Sequence, residues 1–227
     1  MTYDWDFSAL IHYAPAFGRG VITTLALTAI VIATGTPAGI AYALLLRKSP
    51  NWLRRILVFL MDILRCVPVL VLLFLSYYAI PIVLHGSKIS AFGIASIGLA
   101  AYLGAFVADV TRGALDTVPT GYIDAARAVG LSSMAVFWRI ESRYVLKVTM
   151  PTIAVLWIGT LKNSSIASII GVYELTHIAD MTIANTFRSI ETYTVVALLY
   201  IAIIFPLSVA ARHLEGTLGG FKKQPQE

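Results

Sequence analysis

The sequence has 227 residues, of which 58% are hydrophobic and only 13% charged, with a mean hydropathy of +0.81; soluble globular chains run at about 45–50% apolar and about 25% charged, so this chain belongs in a lipid bilayer. The net charge of +5 then reads as the basic bias of cytoplasmic loops rather than as a footprint for nucleic acid. A lone cysteine, Cys66, and four scattered histidines, His12, His85, His177 and His213, offer no intramolecular disulfide, no thiol zinc cluster and no ligand spacing.

Residues 1–19 mix Trp5, Phe7, Tyr13 and Phe17 with polar neighbours. The pattern fits an external leader lying at the membrane interface, and equally an ordinary surface segment. Asp4 and Asp6 replace the basic residues that open a secretory signal, so no cleaved signal is expected. Residues 20–46 carry no charge and, at about 1.5 Å per residue, can cross a hydrocarbon core of about 30 Å. Gly35, Pro37 and Gly39 in that span predict a kink or a close helix contact.

Arg47, Lys48, Arg54 and Arg55 mark the first cytoplasmic loop. A second span is expected over 56–80, with Asp62 and Arg65 near its start and a bend at Pro68. A polar external loop over 81–90 contains Gly86 and Lys88. The third span, 91–110, is rich in Gly and Ala, which predicts a position inside a bundle. Asp109 and Arg112 close it, three positions apart, as Asp62 and Arg65 are.

The segment 113–147 is basic and too polar to span. Pro119 and Thr120 can open a helix. Tyr122, Ala125, Ala126 and Val129 then share one face, with Asp124 and Arg127 placed to pair off it. Gly130 stops this helix, and Ser132 or Ser133 can cap a second one bearing Met134, Phe137 and Trp138. These residues fit a docking helix and a plain interhelical connector equally well.

A fourth span, 148–172, contains Lys162. Such an ammonium must face a cavity, a partner or a carboxylate, unless the span ends early and the side chain reaches the outer interface. Residues 173–191, with Glu174, Asp180, Arg188 and Glu191, form an external connection with some short helix. Residues 192–211 are an uncharged fifth span, and 212–227, with Arg212, Lys222 and Lys223, a cytoplasmic tail. The expected fold is therefore all-α and polytopic: one transmembrane domain over 1–227, about five helices, N-terminus out and C-terminus in.

No Gly-x-x-x-x-Gly-Lys-Ser/Thr phosphate loop occurs. Asp62, Asp109 and Glu174 have bases in reach, which favours pairing over catalysis. The residues point away from an enzyme and toward a transport subunit powered by a partner. A membrane scaffold or assembly subunit is the alternative, and a secondary transporter comes third.

Asp124-Ala125-Ala126-Arg127-Ala128-Val129-Gly130, with Ile140 and Met150-Pro151 following, resembles the EAA loop of permease subunits of ATP-binding-cassette importers. Asp124 stands where that family has Glu, and Met150 where it has Leu. Glu141-Ser142 stands where the polar-amino-acid branch usually has Leu-Pro. Gly20 to Leu25, Arg65 to Leu70, Ala101 to Leu103, Arg112 to Ala114, Val118 to Gly121, Lys162 to Ile166 and Ile170 to Thr176 are similar to further segments of that branch. The resemblance implies a type I importer permease of the bacterial inner membrane. It implies a second permease subunit, identical or paralogous, two ABC ATPase subunits that use ATP and Mg²⁺, and an extracytoplasmic solute-binding protein. This chain would hold no cofactor itself. Residues 122–138 would be the coupling element, through Tyr122, Asp124, Ala125, Ala126, Arg127, Gly130, Met134 and Phe137. Arg65, Asp109, Lys162, Ser164, Ser165 and Glu174 are candidates to line or gate a path for a polar amino acid.

Overall fold

The computed structural model describes residues 3–85 and 88–218, the last five as backbone alone. Gly86 and the tail residues Lys222 and Lys223 lie outside the described residues. Among the described residues there is no strand.

The leader forms one short turn, α1 (Ser8–Ile11), and runs straight into α2 (Ala14–Lys48). Pro15 in the first turn of α2 costs no hydrogen bond there. Pro37 is carried inside the same helix. Helix α5 (Ala91–Asp116) is capped by Ser90, whose hydroxyl accepts from the Gly93 amide at 3.2 Å. Helices α2 and α5 cross at small residues. A Cβ on Gly39 would stand 2.5 Å from the Gly104 carbonyl oxygen, and one on Gly35 2.8 Å from that of Ala100. Only glycine permits this approach, which sets the axis of the bundle.

The span expected over 56–80 is corrected by the structure. It is two helices, α3 (Asn51–Cys66) and α4 (Val69–Val83), meeting at 109°. Val67 is extended (φ −74°, ψ 127°), as a residue before proline prefers to be, and Pro68 then starts α4. A proline kink would have bent one span; here the break is complete. Helix α3 lays Met61, with Leu57, Val58 and Leu64 beside it, against Leu46, Ala105 and Ala108. Its other face exposes Trp52 and Phe59.

Beyond α5 come α6 (Thr120–Ala128), α7 (Ser133–Val136), a π turn (Phe137–Glu141) and α8 (Ser142–Asn163). The fourth span thus begins well before residue 148, since the helix is continuous from Ser133. It also ends before 172: a 3₁₀ turn, Ser164–Ile170, follows Asn163 and closes at Gly171 with φ +83°. The connection over 173–191 holds α9 (Leu175–Thr186), and α10 (Ser189–Leu218) completes the chain.

Among the described residues, four helices or helix runs are long and apolar enough to cross a membrane, and five if the bent α3–α4 pair counts as one span. The core gathers Leu27 and Val31 of α2, Leu73 of α4, Leu99 and Val107 of α5 and Ile153 of α8. A second cluster packs Leu175 and Ala179 of α9 against Phe17 and Val196.

Candidate functional site

Pro119 precedes α6 and Gly130 ends it. Gly130 takes φ +82°, and its amide donates to Arg127 O at 2.9 Å while the Leu131 amide reaches Ala126 O at 3.1 Å. These bonds close the carbonyls of the last turn in the manner of a left-handed C-cap. A Cβ on Gly130 would meet nothing within 4 Å, so backbone conformation alone requires glycine here. Ser132 then caps α7, accepting from the Ala135 amide at 3.3 Å.

This helix–turn–helix roots itself through few residues. Ala126 and Val136 are buried, and Ile123 packs on Ala114, Val118 and Val145. Of the four residues expected to share one face, Ala126 is buried while Tyr122 and Val129 are turned outward, 54% and 77% exposed; Met134 and Trp138 are 65% and 63% exposed. Asp124 and Ala125 are exposed as well. Asp124 and Arg127 form no ion pair; Arg127 lines a cavity of about 520 Å³ with Leu44, Arg47, Ser133, Phe137 and Glu141. The second helix starts at Ser133 as expected, but its α-helical part is four residues before it passes without a break into the π turn and α8. Phe137 stands edge-on to Trp138, ring centroids 5.2 Å apart, inside the π turn instead.

Glu141 is buried, and both of its oxygens accept from the Arg47 guanidinium, at 2.5 and 2.9 Å. The paired fork fixes orientation as well as distance. Sequence reading missed this contact. Arg47 counted only as loop charge, and Glu141 only as a departure from a pattern; the two are 94 positions apart.

The path candidates separate into two groups. Arg65 and Asp109 meet at 2.8 Å, and each keeps its local partner: Asp62 to Arg65 at 3.3 Å, Arg112 to Asp109 at 2.8 Å. The result is an alternating four-charge chain joining α3 to α5. Arg65 also lies over the Phe106 ring, 5.4 Å from its centroid. The Nε atoms of Arg65 and Arg112 are buried without an acceptor.

Lys162, in the last turn of α8, is exposed, and no ion pair joins it to Glu174. Ser164 and Ser165 turn back on that helix, donating to Leu161 O and Lys162 O at 2.7 Å each. Glu174 is fully buried. It caps α9 by accepting from the His177 amide at 2.8 Å and takes the Tyr200 hydroxyl at 3.2 Å. Burial pushes its carboxyl above the ordinary range, against the lowering effect of these hydrogen bonds. The next glutamate along the chain, Glu191, is also fully buried, holding the leader through Tyr3 Oη at 2.6 Å and the Asp6 amide at 3.0 Å.

The chain is similar to the glutamine transport system permease protein GlnP of Escherichia coli strain K12, 29% identical over 216 residues that cover 95% of this chain and 97% of that protein. It is similar to the nopaline transport system permease protein NocM of Agrobacterium fabrum, 30% identical over 212 residues, 89% of this chain and 88% of that one. Among solved structures, an amino acid ABC transporter with histidines superposes at a TM-score of 0.85 with 28% identity, covering 95% of this chain and 100% of that chain. The MetNI methionine ABC transporter superposes at 0.78 with 20% identity over 92% of this chain and 98% of that one, a likeness of fold. Matched over residues 35–219, the chain belongs to the family of binding-protein-dependent transport system inner membrane components.

Proposed function

We propose that this chain is the permease subunit of an ATP-driven importer of polar amino acids in the bacterial inner membrane. Its N-terminus faces out, and the segment 120–141 faces the cytoplasm. The observation that carries this reading is the segment's form: two short helices about Gly130, narrowly rooted at Ala126 and Val136 and presenting Tyr122, Val129, Met134 and Trp138 outward. Exposed large apolar groups clustered this closely mark a binding surface. The family's transport role supports an ABC ATPase as its occupant. ATP and Mg²⁺ are used by that partner. A second permease, identical or paralogous, completes the path, and an extracytoplasmic binding protein delivers substrate.

Lys162 is the residue proposed to meet the substrate carboxylate. It is an exposed cation at a helix end with no ion pair among the described residues. Ser164 and Ser165 hold the turn that presents it, Glu174 holds the start of α9 that follows, and the Arg65–Asp109 pair gates the other face of the bundle. The relatives named for glutamine and nopaline transport support an amino-acid cargo.

The test is reconstitution in proteoliposomes with the cognate ATPase and binding protein, using radiolabelled glutamine as first probe. Uptake that needs ATP and the binding protein and is stopped by vanadate supports the reading. Uptake that ionophores stop and vanadate does not means a secondary transporter. Stable assembly without uptake of any polar amino acid means a scaffold.

A further inference from the structure

We infer that the Arg47–Glu141 ion pair is a strut that carries motion of the 120–141 segment into α2, and that it acts through the π turn at Phe137–Glu141. The inference rests on the transport reading above and deepens it. The segment has a covalent exit at each end, into α5 and into α8. Among the described residues, the ion pair that ties it to the body is this bidentate one, beside a small apolar root. The pair reaches the last turn of α2, the helix locked to α5 through Gly35 and Gly39. Trp157 further ties α8 to α2, its indole N–H donating to Thr36 at 2.9 Å. Displacing Glu141 therefore moves the α2–α5 body and not α8 alone.

The turn that holds Glu141 depends on the same two residues that depart from the family pattern. The Ser142 amide donates to Phe137 O, the five-residue-back bond that makes this turn a π turn. A proline at 142 has no N–H to give. The Ser142 hydroxyl also donates to Trp138 O at 2.8 Å, occupying a carbonyl of the widened turn. Glu141 supplies the charge that Arg47 clasps. Where the pattern has an apolar residue and a proline, this chain has an acid and a donor, and both are used within one turn of helix.

Geometry argues for a transmitting contact rather than a general stabiliser. The Arg47 side chain is 44% exposed and that of Glu141 only 6%. The buried carboxylate thus depends on one guanidinium that enters from the rim of a cavity. Arg127 lines the same cavity, so a shift of α6 changes the field at Glu141. The pair has the placement of a contact that can be loaded and released as the segment moves.

The experiment uses the whole complex in proteoliposomes and reads glutamine uptake, substrate-stimulated ATP hydrolysis and co-purification of the ATPase. Glu141→Gln and Arg47→Gln are each expected to lower uptake per ATP hydrolysed by roughly tenfold, within the usual range of coupling between sites, with the ATPase still bound. Exchanging the charges, Arg47→Glu with Glu141→Arg, is expected to recover most of that loss, whereas Glu141→Arg alone recovers none. Wild-type coupling in both single variants overturns the strut, as does a charge exchange no better than the worse single variant. If Arg47→Gln fails to assemble because it strands a buried carboxylate, Glu141→Gln and the double Gln variant still read coupling. Failure of all of them to assemble makes the pair purely structural and also overturns the inference. A wild-type complex without ATP-dependent uptake refutes the transport reading instead, so the two failures are distinguishable.

Discussion

The two ends of the bundle hold their acids differently. At the end bearing Glu174 and Glu191, both carboxylates are fully buried and fed by several donors at once: backbone amides, tyrosine hydroxyls and, for Glu191, Arg188 at 3.6 Å. Each cements elements far apart in sequence. Glu191 binds the leader to α10, and Glu174 joins the start of α9 to Tyr200 of α10. At the other end, Glu141 has one partner side chain, Gly130 sits in a left-handed turn, and Tyr122, Val129 and Trp138 are exposed. A site with many independent donors tolerates little displacement, because every bond must be lost together. A single fork on a hinged segment can follow a moving partner. One end is built to stay; the other, on the function proposed above, is the end that is pulled.

The comparison breaks most visibly at Gly130. A valine there is β-branched at φ +82°, a conformation it adopts only with strain of about 1–3 kcal/mol. No neighbour is crowded, so Gly130→Val unwinds the turn rather than disturbing the bundle. Uptake is expected to fall to background while the permease still folds and inserts. Gly130→Asn, which tolerates the left-handed region, should keep a measurable fraction. Equal uptake for glycine, asparagine and valine would remove the turn from the coupling scheme.

Much of this was legible in the chain. Charge-free lengths located the spans containing α2, α5 and α10, because bilayer thickness fixes how long an apolar helix must be. Pro119, Gly130 and Ser132 located the helix–turn–helix that follows α5, because caps and stops are local chemistry. The α3–α4 break was half visible. Pro68 signalled a bend, but its 109° angle depends on α3 burying Met61 against α2 and α5, which no local pattern encodes. The long-range pairs were not legible. Arg65–Asp109 and Arg47–Glu141 join positions that only the folded bundle brings together. In both cases one partner had a plausible local role that hid the distant one. Lys162 and Glu174, both candidates for the path in the sequence, form no ion pair with each other, since Glu174 is already occupied as a cap.

Glu191 tests the fixed end with a smaller effect. Glu191→Ala removes the acceptor for Tyr3 and for the Asp6 amide. The loss of these charge-assisted bonds should lower stability measurably. It should appear as a lower melting temperature and as faster hydrogen exchange at Asp6 and the residues around it. Coupling, read as uptake per ATP, should change far less than in Gly130→Val. A large coupling defect with unchanged leader exchange would mean that this end also moves in the cycle.

The smallest effect is the one at Glu174, and it has a definite sign. Burial raises this carboxyl above its unfolded value of 4.5. Its protonated form is the one the fold favours, so its contribution to stability is complete below 4.5 and is lost as pH rises through the raised value. Gln has the shape of the protonated acid. Its oxygen can still accept from the His177 amide, and its NH₂ can donate to the Tyr200 or Thr24 hydroxyl, both of which rotate. Glu174→Gln should therefore match the wild type at acid pH and melt higher than it at neutral pH, with a flatter profile between. The reverse order, with Gln the less stable at neutral pH, would mean that the carboxylate is held there charged. The amide and hydroxyl donors would then outweigh burial, and the fixed end would owe its rigidity to an anion rather than to a neutral cap.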